Sequence, residues 1–163
     1  MTQLPLDAQL LTDRLDVIDT VYRFAAAIDT RDWAGYRAVF TDEIDVDYTS
    51  YRPGSIARMP ADDWVGRATR LFPGLDASQH SISNPRVALD GDRAVLDCYV
   101  RADHSLVDPS GDSMFTIGGK YRMEMARLVD GWRINAVALT VLWNQGNRYL
   151  MTVAAERAAA LLA

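Results

Sequence analysis

The second half of the chain is built from long alternating stretches. Segments 77–89, 93–105, 113–129 and 131–145 read as β-strands, and Asp90-Gly91 and Asp130-Gly131 between them are two-residue hairpin turns. Four long strands in succession predict a meander. Gly118-Gly119, inside the third segment, marks a bulge or bend that curves the sheet. The first half carries helical periodicity instead, and helices followed by a run of strands argue an α+β fold, with helices packed on one face of a bent antiparallel sheet.

Residues 8–29 read as a long amphipathic helix in which Leu11, Leu15, Ile18, Tyr22, Ala25 and Asp29 recur at helical spacing. Asp29 extends that stripe into the last turn, where the helix dipole disfavours negative charge, so its carboxylate needs a donor. Thr30-Arg31-Asp32 breaks and restarts the chain, and a short helix runs through Trp33, Tyr36, Val39 and Phe40. Strict alternation over 43–48 predicts a strand with Ile44, Val46 and Tyr48 on one face, closed by Tyr51-Arg52-Pro53-Gly54. Pro60, followed by Asp62 and Asp63, opens a third helix to about Leu71, and Phe72-Pro73-Gly74 stops it. An Ala-rich segment over about 149–163 reads as a C-terminal helical tail.

Strand parity then singles out two side chains. In the second strand Ala94, Leu96, Cys98, Val100, Ala102 and His104 share a face, so His104 is the polar end of an apolar row. In the first, His80, Ile82 and Asn84 share a face. These are the only two histidines in the chain. Imidazole and carboxylate groups aimed at a core are costly unless paired, so Asp29, His80 and His104 on separate elements point to a buried acid–base site.

At 163 residues with 49% apolar and 24% charged residues, the chain is expected to be a single domain over 1–163. A net charge of −5 with scattered basic residues excludes the cationic patch that nucleic acid demands. One cysteine, Cys98, excludes an internal disulfide framework and fits a reducing, cytoplasmic setting. Met1-Thr2-Gln3-Leu4-Pro5-Leu6-Asp7 lacks the basic and apolar regions of a signal peptide, and no stretch is long and apolar enough to span a membrane. Both faces of strand 131–145 are apolar, which predicts a homodimer or homotrimer.

An aspartate beside a histidine holds one ring nitrogen as a donor and leaves the other to take or give a proton. A second histidine, Tyr48 and the Asn84 amide can bind or polarise a substrate oxygen. The set suits abstraction of a proton next to a carbonyl and protonation of a departing hydroxyl, and it lacks a nucleophile. Each residue also has a plain structural reading: Asp29 as a cap, either histidine as a hydrogen-bonded core group, Tyr48 as core and Asn84 as a turn before Pro85. Tyr22, Trp64, Tyr121, Arg122 and Trp143 join Asn84 as candidate substrate-binding residues. No ligand spacing such as His-x-x-x-His occurs, so neither metal nor cofactor is expected.

Ala27-Ile28-Asp29-Thr30-Arg31-Asp32-Trp33, Asp47-Tyr48, Ser78 to Asn84, Ala102-Asp103-His104 and Asp130 to Ile134 resemble the SnoaL-like branch of the NTF2-like superfamily. Val46 to Tyr51, followed by Met59 to Gly66, is similar to the scytalone dehydratases in order and spacing. The resemblance covers about residues 10–147. It implies a cone-shaped α+β barrel closed by helices around a pocket, with Asp29, His80 and His104 as its acid–base set and Tyr48 as one of two tyrosines holding a water. The second tyrosine position is Ile28 here, and the substrate-binding serine and asparagine fall near Lys120 and Arg122. The implied activity is a cofactor-independent lyase, a dehydratase, acting on a small cyclic or polyketide-derived hydroxy-ketone. The alternatives are a SnoaL-type isomerase or cyclase, and a non-catalytic ligand-binding or assembly subunit.

Overall fold

A computed structural model describes residues 8–107 and 111–161. The chain runs α1 (Ala8–Thr30), α2 (Trp33–Ala38), β1 (Phe40–Asp47), β2 (Ile56–Pro60), α3 (Ala61–Thr69), a 3₁₀ turn (Phe72–Gly74), β3 (Ala77–Asp90), β4 (Arg93–Ser105), β5 (Met114–Leu128), β6 (Gly131–Gly146) and α4 (Leu150–Leu161). The N-terminal heptapeptide and the last two residues of the expected tail lie outside the described residues. No described helix is long and apolar enough to cross a membrane.

The six strands form one sheet in the order β2-β1-β6-β5-β4-β3. The β3 to β6 meander is antiparallel as its turns require, with His80 opposite Ala102 and His104 opposite Phe115. The sheet as a whole is mixed, which corrects the expected antiparallel one: β1 lies parallel to β6, pairing Phe40 with Ile134 and Val46 with Val137. That pairing could not be read from β1 alone, because α2 and β1 reach β6 from a distant part of the sequence. The sheet also stays open, with β2 and β3 as its two edges. Segment β2 escapes a pattern reading because four of its five residues are exposed and it ends on Pro60, which an edge strand tolerates. A register shift between Gly118 and Gly119 bends β5 where two glycines let the Trp143 ring and the Thr140 carbonyl approach the backbone.

The buried side of α1 is Val17, Val21, Phe24 and Ile28, and it also includes Asp13 and Thr20. This overturns half of the expected stripe: Leu11, Leu15 and Tyr22 are exposed, whereas Ala25 is buried and Ile18 packs against the core. The helix is apolar on more than one line. The line that wins contains a carboxylate, made tolerable by Arg127, whose two terminal nitrogens donate to Asp13 at 2.6 and 2.5 Å. Those bonds hold the Asp13 carboxyl at about 2, well below the ordinary range, and tie α1 to β5.

Packed against the inner face are Leu96, Cys98, Val100, Met123, Trp132, Ile134 and Val137; between Ile134 and Val137 a register shift against Glu124 and Met125 inverts the phase of β6. Helix α4 docks on the 3₁₀ turn. A β-carbon at Gly74 would lie 1.8 Å from the Ala154 carbonyl oxygen, so only glycine permits this contact. On β6, Ala136 and Ala138 are half-buried while Thr140 and Leu142 face solvent.

Candidate active site

A cavity of about 250 Å³ opens between the sheet and the helices. Its wall is apolar and aromatic, including Phe24, Ile28, Trp64, Phe72, Ile117 and Leu139, and its polar groups are few. His80 enters from β3 and His104 from β4, with ring centroids 5.9 Å apart and nearly perpendicular. Phe72 packs 6.0 Å from both rings.

Asp29, at the end of α1, clamps His80 twice. Its Oδ1 lies 2.7 Å from the ring Nδ1, and its Oδ2 accepts the His80 backbone N–H at 2.6 Å. Ser78, two residues earlier on the same face of β3, donates to Oδ1 at 2.9 Å. Burial pushes the Asp29 carboxyl up, but the hydrogen bonds from the His80 ring, its backbone N–H and Ser78 outweigh this and hold it below the ordinary value. An ionised carboxylate only accepts, so His80 Nδ1 donates to it and Nε2 is the ring nitrogen left for other partners. Arg31 braces the clamp from behind, donating to the Asp29 carbonyl, to Ser78 Oγ at 3.0 Å and to the Phe72 carbonyl at 3.1 Å. Its backbone takes the left-handed φ of 60°, which turns the chain sharply after α1.

His104 is held differently. Its Nδ1 donates to the Phe115 carbonyl at 3.1 Å, and among the described residues no carboxylate forms an ion pair with it. Burial, and then the neighbouring His80, lower its pKa to about 4, so at neutral pH it is an uncharged ring whose Nε2 accepts. This sets a stability slope. The folded-state pKa lies below the unfolded value of 6.5, so the contribution is complete above pH 6.5 and is lost as pH falls to about 4, while the unfolded chain takes up a proton. Thermal unfolding across that window should show a fall of up to about 3 kcal/mol in the wild type and a shallower one in His104→Leu.

Two tyrosines line the same cavity as the histidines. Tyr48 stands just past β1 and Tyr121 on β5; burial pushes Tyr121 up to about 12 and Tyr48 well above its ordinary value. Both therefore remain protonated donors at neutral pH. Trp64 Nε1 donates to Tyr36 Oη at 3.1 Å and packs against Tyr48 at 5.1 Å.

Of the sequence candidates, His80, His104, Tyr48, Trp64 and Tyr121 line the cavity, and Asp29 reaches it through His80. Four do not. Asn84 is exposed with φ 54° at a register shift between Ser83 and Arg86, which reverses the inward parity of β3 beyond Ile82. Tyr22 faces solvent on α1, and Arg122 is on the opposite face of the sheet, 3.3 Å from Asp97. Trp143 is half exposed and covers Gly118. Lys120 lies on that same outer face, over the Tyr99 ring. Sequence reading missed Ser78, although its parity with His80 was available, and Arg31, which no pattern marks. No group of three His, Cys, Asp or Glu side chains able to hold a metal occurs among the described residues.

The model of the SnoaL-like domain matches residues 9–138. The chain belongs to the SnoaL-like domain family. No curated protein matches it. Among solved structures, the Kfla4162 protein of Kribbella flavida is 28% identical to this SnoaL-like domain, with a TM-score of 0.81 over 92% of this chain and 99% of the other. A Novosphingobium aromaticivorans protein, provisionally assigned as a scytalone dehydratase, is 14% identical with a TM-score of 0.77 over 88% and 93%. A type 2 hexachlorocyclohexane dehydrochlorinase, LinA, is 15% identical with a TM-score of 0.72 over 86% and 92%. At such identities the last two show a common fold. That fold is the NTF2-like, cystatin-like α+β one, here with a curved and unclosed mixed sheet.

Proposed function

We propose that this SnoaL-like domain is a lyase that eliminates water from a small cyclic hydroxy-ketone. The observation that carries the reading is the double clamp of Asp29 on His80 at the wall of an apolar cavity. A clamp of this kind fixes a ring nitrogen in space and favours the imidazolium that forms when it takes a proton. In this reading His80 Nε2 removes the proton next to the substrate carbonyl, and the bond electrons move onto the carbonyl oxygen as an enolate. The Tyr48 and Tyr121 hydroxyls, directly or through a water, donate to that oxygen. His104 Nε2 accepts from the substrate hydroxyl and orients it. The imidazolium then returns its proton to the departing oxygen on the same face, and water leaves as the double bond closes.

Tyr121 supplies from β5 the second hydroxyl that the dehydratase pattern takes from the residue preceding the aspartate, where this chain has Ile28. The names of the two structural neighbours, a dehydratase and a dehydrochlorinase, both denote eliminations and support the class. A cytoplasmic setting belongs to the same reading, supported by a single, buried cysteine whose thiol burial pushes up to about 11.

The test is a screen of cyclic hydroxy-ketones read by mass spectrometry. Products lighter than substrate by one water are expected. Turnover with unchanged mass would overturn the dehydratase reading in favour of an isomerase or cyclase.

A further inference from the structure

Two cations stand at the mouth of this cavity, and among the described residues neither forms an ion pair. Arg52 follows β1 in the turn that Tyr48 and Ser55 close by backbone hydrogen bonds, and Arg67 lies in the last turn of α3. Both line the cavity, and both also line the surface groove that continues outward from it past Ser55 and Gly54. No aspartate or glutamate lines either space.

Most other arginines are engaged elsewhere, and Arg70, Arg86 and Arg93, which like Arg52 and Arg67 form no ion pair among the described residues, line neither of these spaces. Among the described residues, Arg23, Arg37, Arg58, Arg101, Arg122, Arg127, Arg133 and Arg157 each reach a carboxylate within 3.3 Å or, for Arg58, 3.4 Å. Arg14, Arg31 and Arg148 donate to backbone carbonyls. Arg67 has Asp63 four residues before it on the same helix, yet no ion pair forms between them among the described residues. In a chain of net charge −5, two unpaired guanidiniums bordering an apolar, acid-free cavity form a local cationic field. Guanidinium is also the side chain best shaped to hold a planar carboxylate through paired N–H donors.

We infer that the substrate is an organic acid: its ring enters the cavity toward His80 and His104, and its carboxylate stays at the mouth between Arg52 and Arg67. This rests on the cavity being the substrate site and does not require the proposed elimination. The groove beyond accommodates the part of the ligand that carries the charge, while the aromatic wall takes the part that reacts. Neutral hydroxy-ketones of the same ring size are then poorer ligands.

The test is isothermal titration of the full chain with matched pairs of aromatic carboxylic acids and their carboxamides, carrying one, two or three rings. Pair members share shape and differ in charge. For the best-fitting ring size the acid should bind about tenfold more tightly than its amide, equivalent to about 1.4 kcal/mol. Raising the salt concentration should erode the acid's advantage and leave the amide unaffected. In the double variant R52Q/R67Q, with both positions exposed and the fold checked by its melting temperature, acid and amide should bind alike. His80→Ala should retain the preference, which separates this proposal from the elimination chemistry. If no acid in the panel outbinds its amide, or if the preference survives in R52Q/R67Q, the inference is overturned.

Discussion

Replacing His80 with alanine is expected to lower turnover by about a hundredfold to ten-thousandfold while leaving the fold intact. The side chain is nearly buried, but it contributes more to the Asp29 carboxylate than to packing. After truncation Oδ2 keeps the backbone N–H of residue 80 and Oδ1 keeps Ser78. No charge is left stranded, so the melting temperature should move little. Asp29→Asn is the companion variant. An asparagine retains the size of the carboxylate but offers either an oxygen or an amide to each neighbour, and it no longer favours an imidazolium. Its turnover should also fall steeply. Substrate affinity should change less than turnover in both, because the aromatic wall and the tyrosines remain. Activity within a few-fold of wild type in both variants would remove the acid–base pair from the reaction.

Phe24→Ala should produce the largest loss of stability. Phe24 is 1% exposed and sits at the centre of an aromatic cluster, 5.3 Å from Tyr36, 6.0 Å from Phe40 and 5.7 Å from Tyr121. These partners come from α2, β1 and β5, so one side chain of α1 joins the helical layer to both halves of the sheet. Removing a buried phenyl ring costs about 3–5 kcal/mol, which for a domain of this size lowers the melting temperature by roughly 6–20 °C. The cavity wall loses the same ring, and the Tyr121 ring loses its edge contact with it. Chemical denaturation read by tryptophan fluorescence checks the value. A loss under about 1 kcal/mol would mean that the cluster collapses around the gap and is not a rigid support.

Much of this architecture could be read from residue order, because the strong signals were periodic. Strand β4 keeps one phase for its entire length, so alternate residues from Ala94 to Ala102 are buried and His104 is carried inward with them. The hairpins fall within a residue of their expected places: the turns are Gly91-Asp92, between the paired Asp90 and Arg93, and Val129-Asp130, between the paired Leu128 and Gly131. Periodicity failed where the backbone breaks its own rule. The bulge at Asn84 inverts the phase of β3, so a residue two steps beyond Ile82 faces solvent instead of the cavity. On α1 a buried ion pair with Arg127 disguised the true inner line as polar. Arg31 acquires its place through contacts made across the fold, with Ser78 on β3 and the Phe72 carbonyl, and local spacing carries no trace of such contacts.

The Asp29 clamp also works as a length gauge. One oxygen grips the backbone of β3 and the other grips the ring that β3 projects, so the gap between helix end and strand is spanned by a single methylene. Glutamate has the same charge and chemistry but is longer by one carbon. To keep both grips it would have to retreat the end of α1 or buckle its own chain, and Arg31, already pinned at a left-handed backbone angle, resists the first. At this position reach is therefore constrained more tightly than charge, and the exchange that looks most conservative on paper should be among the least tolerated.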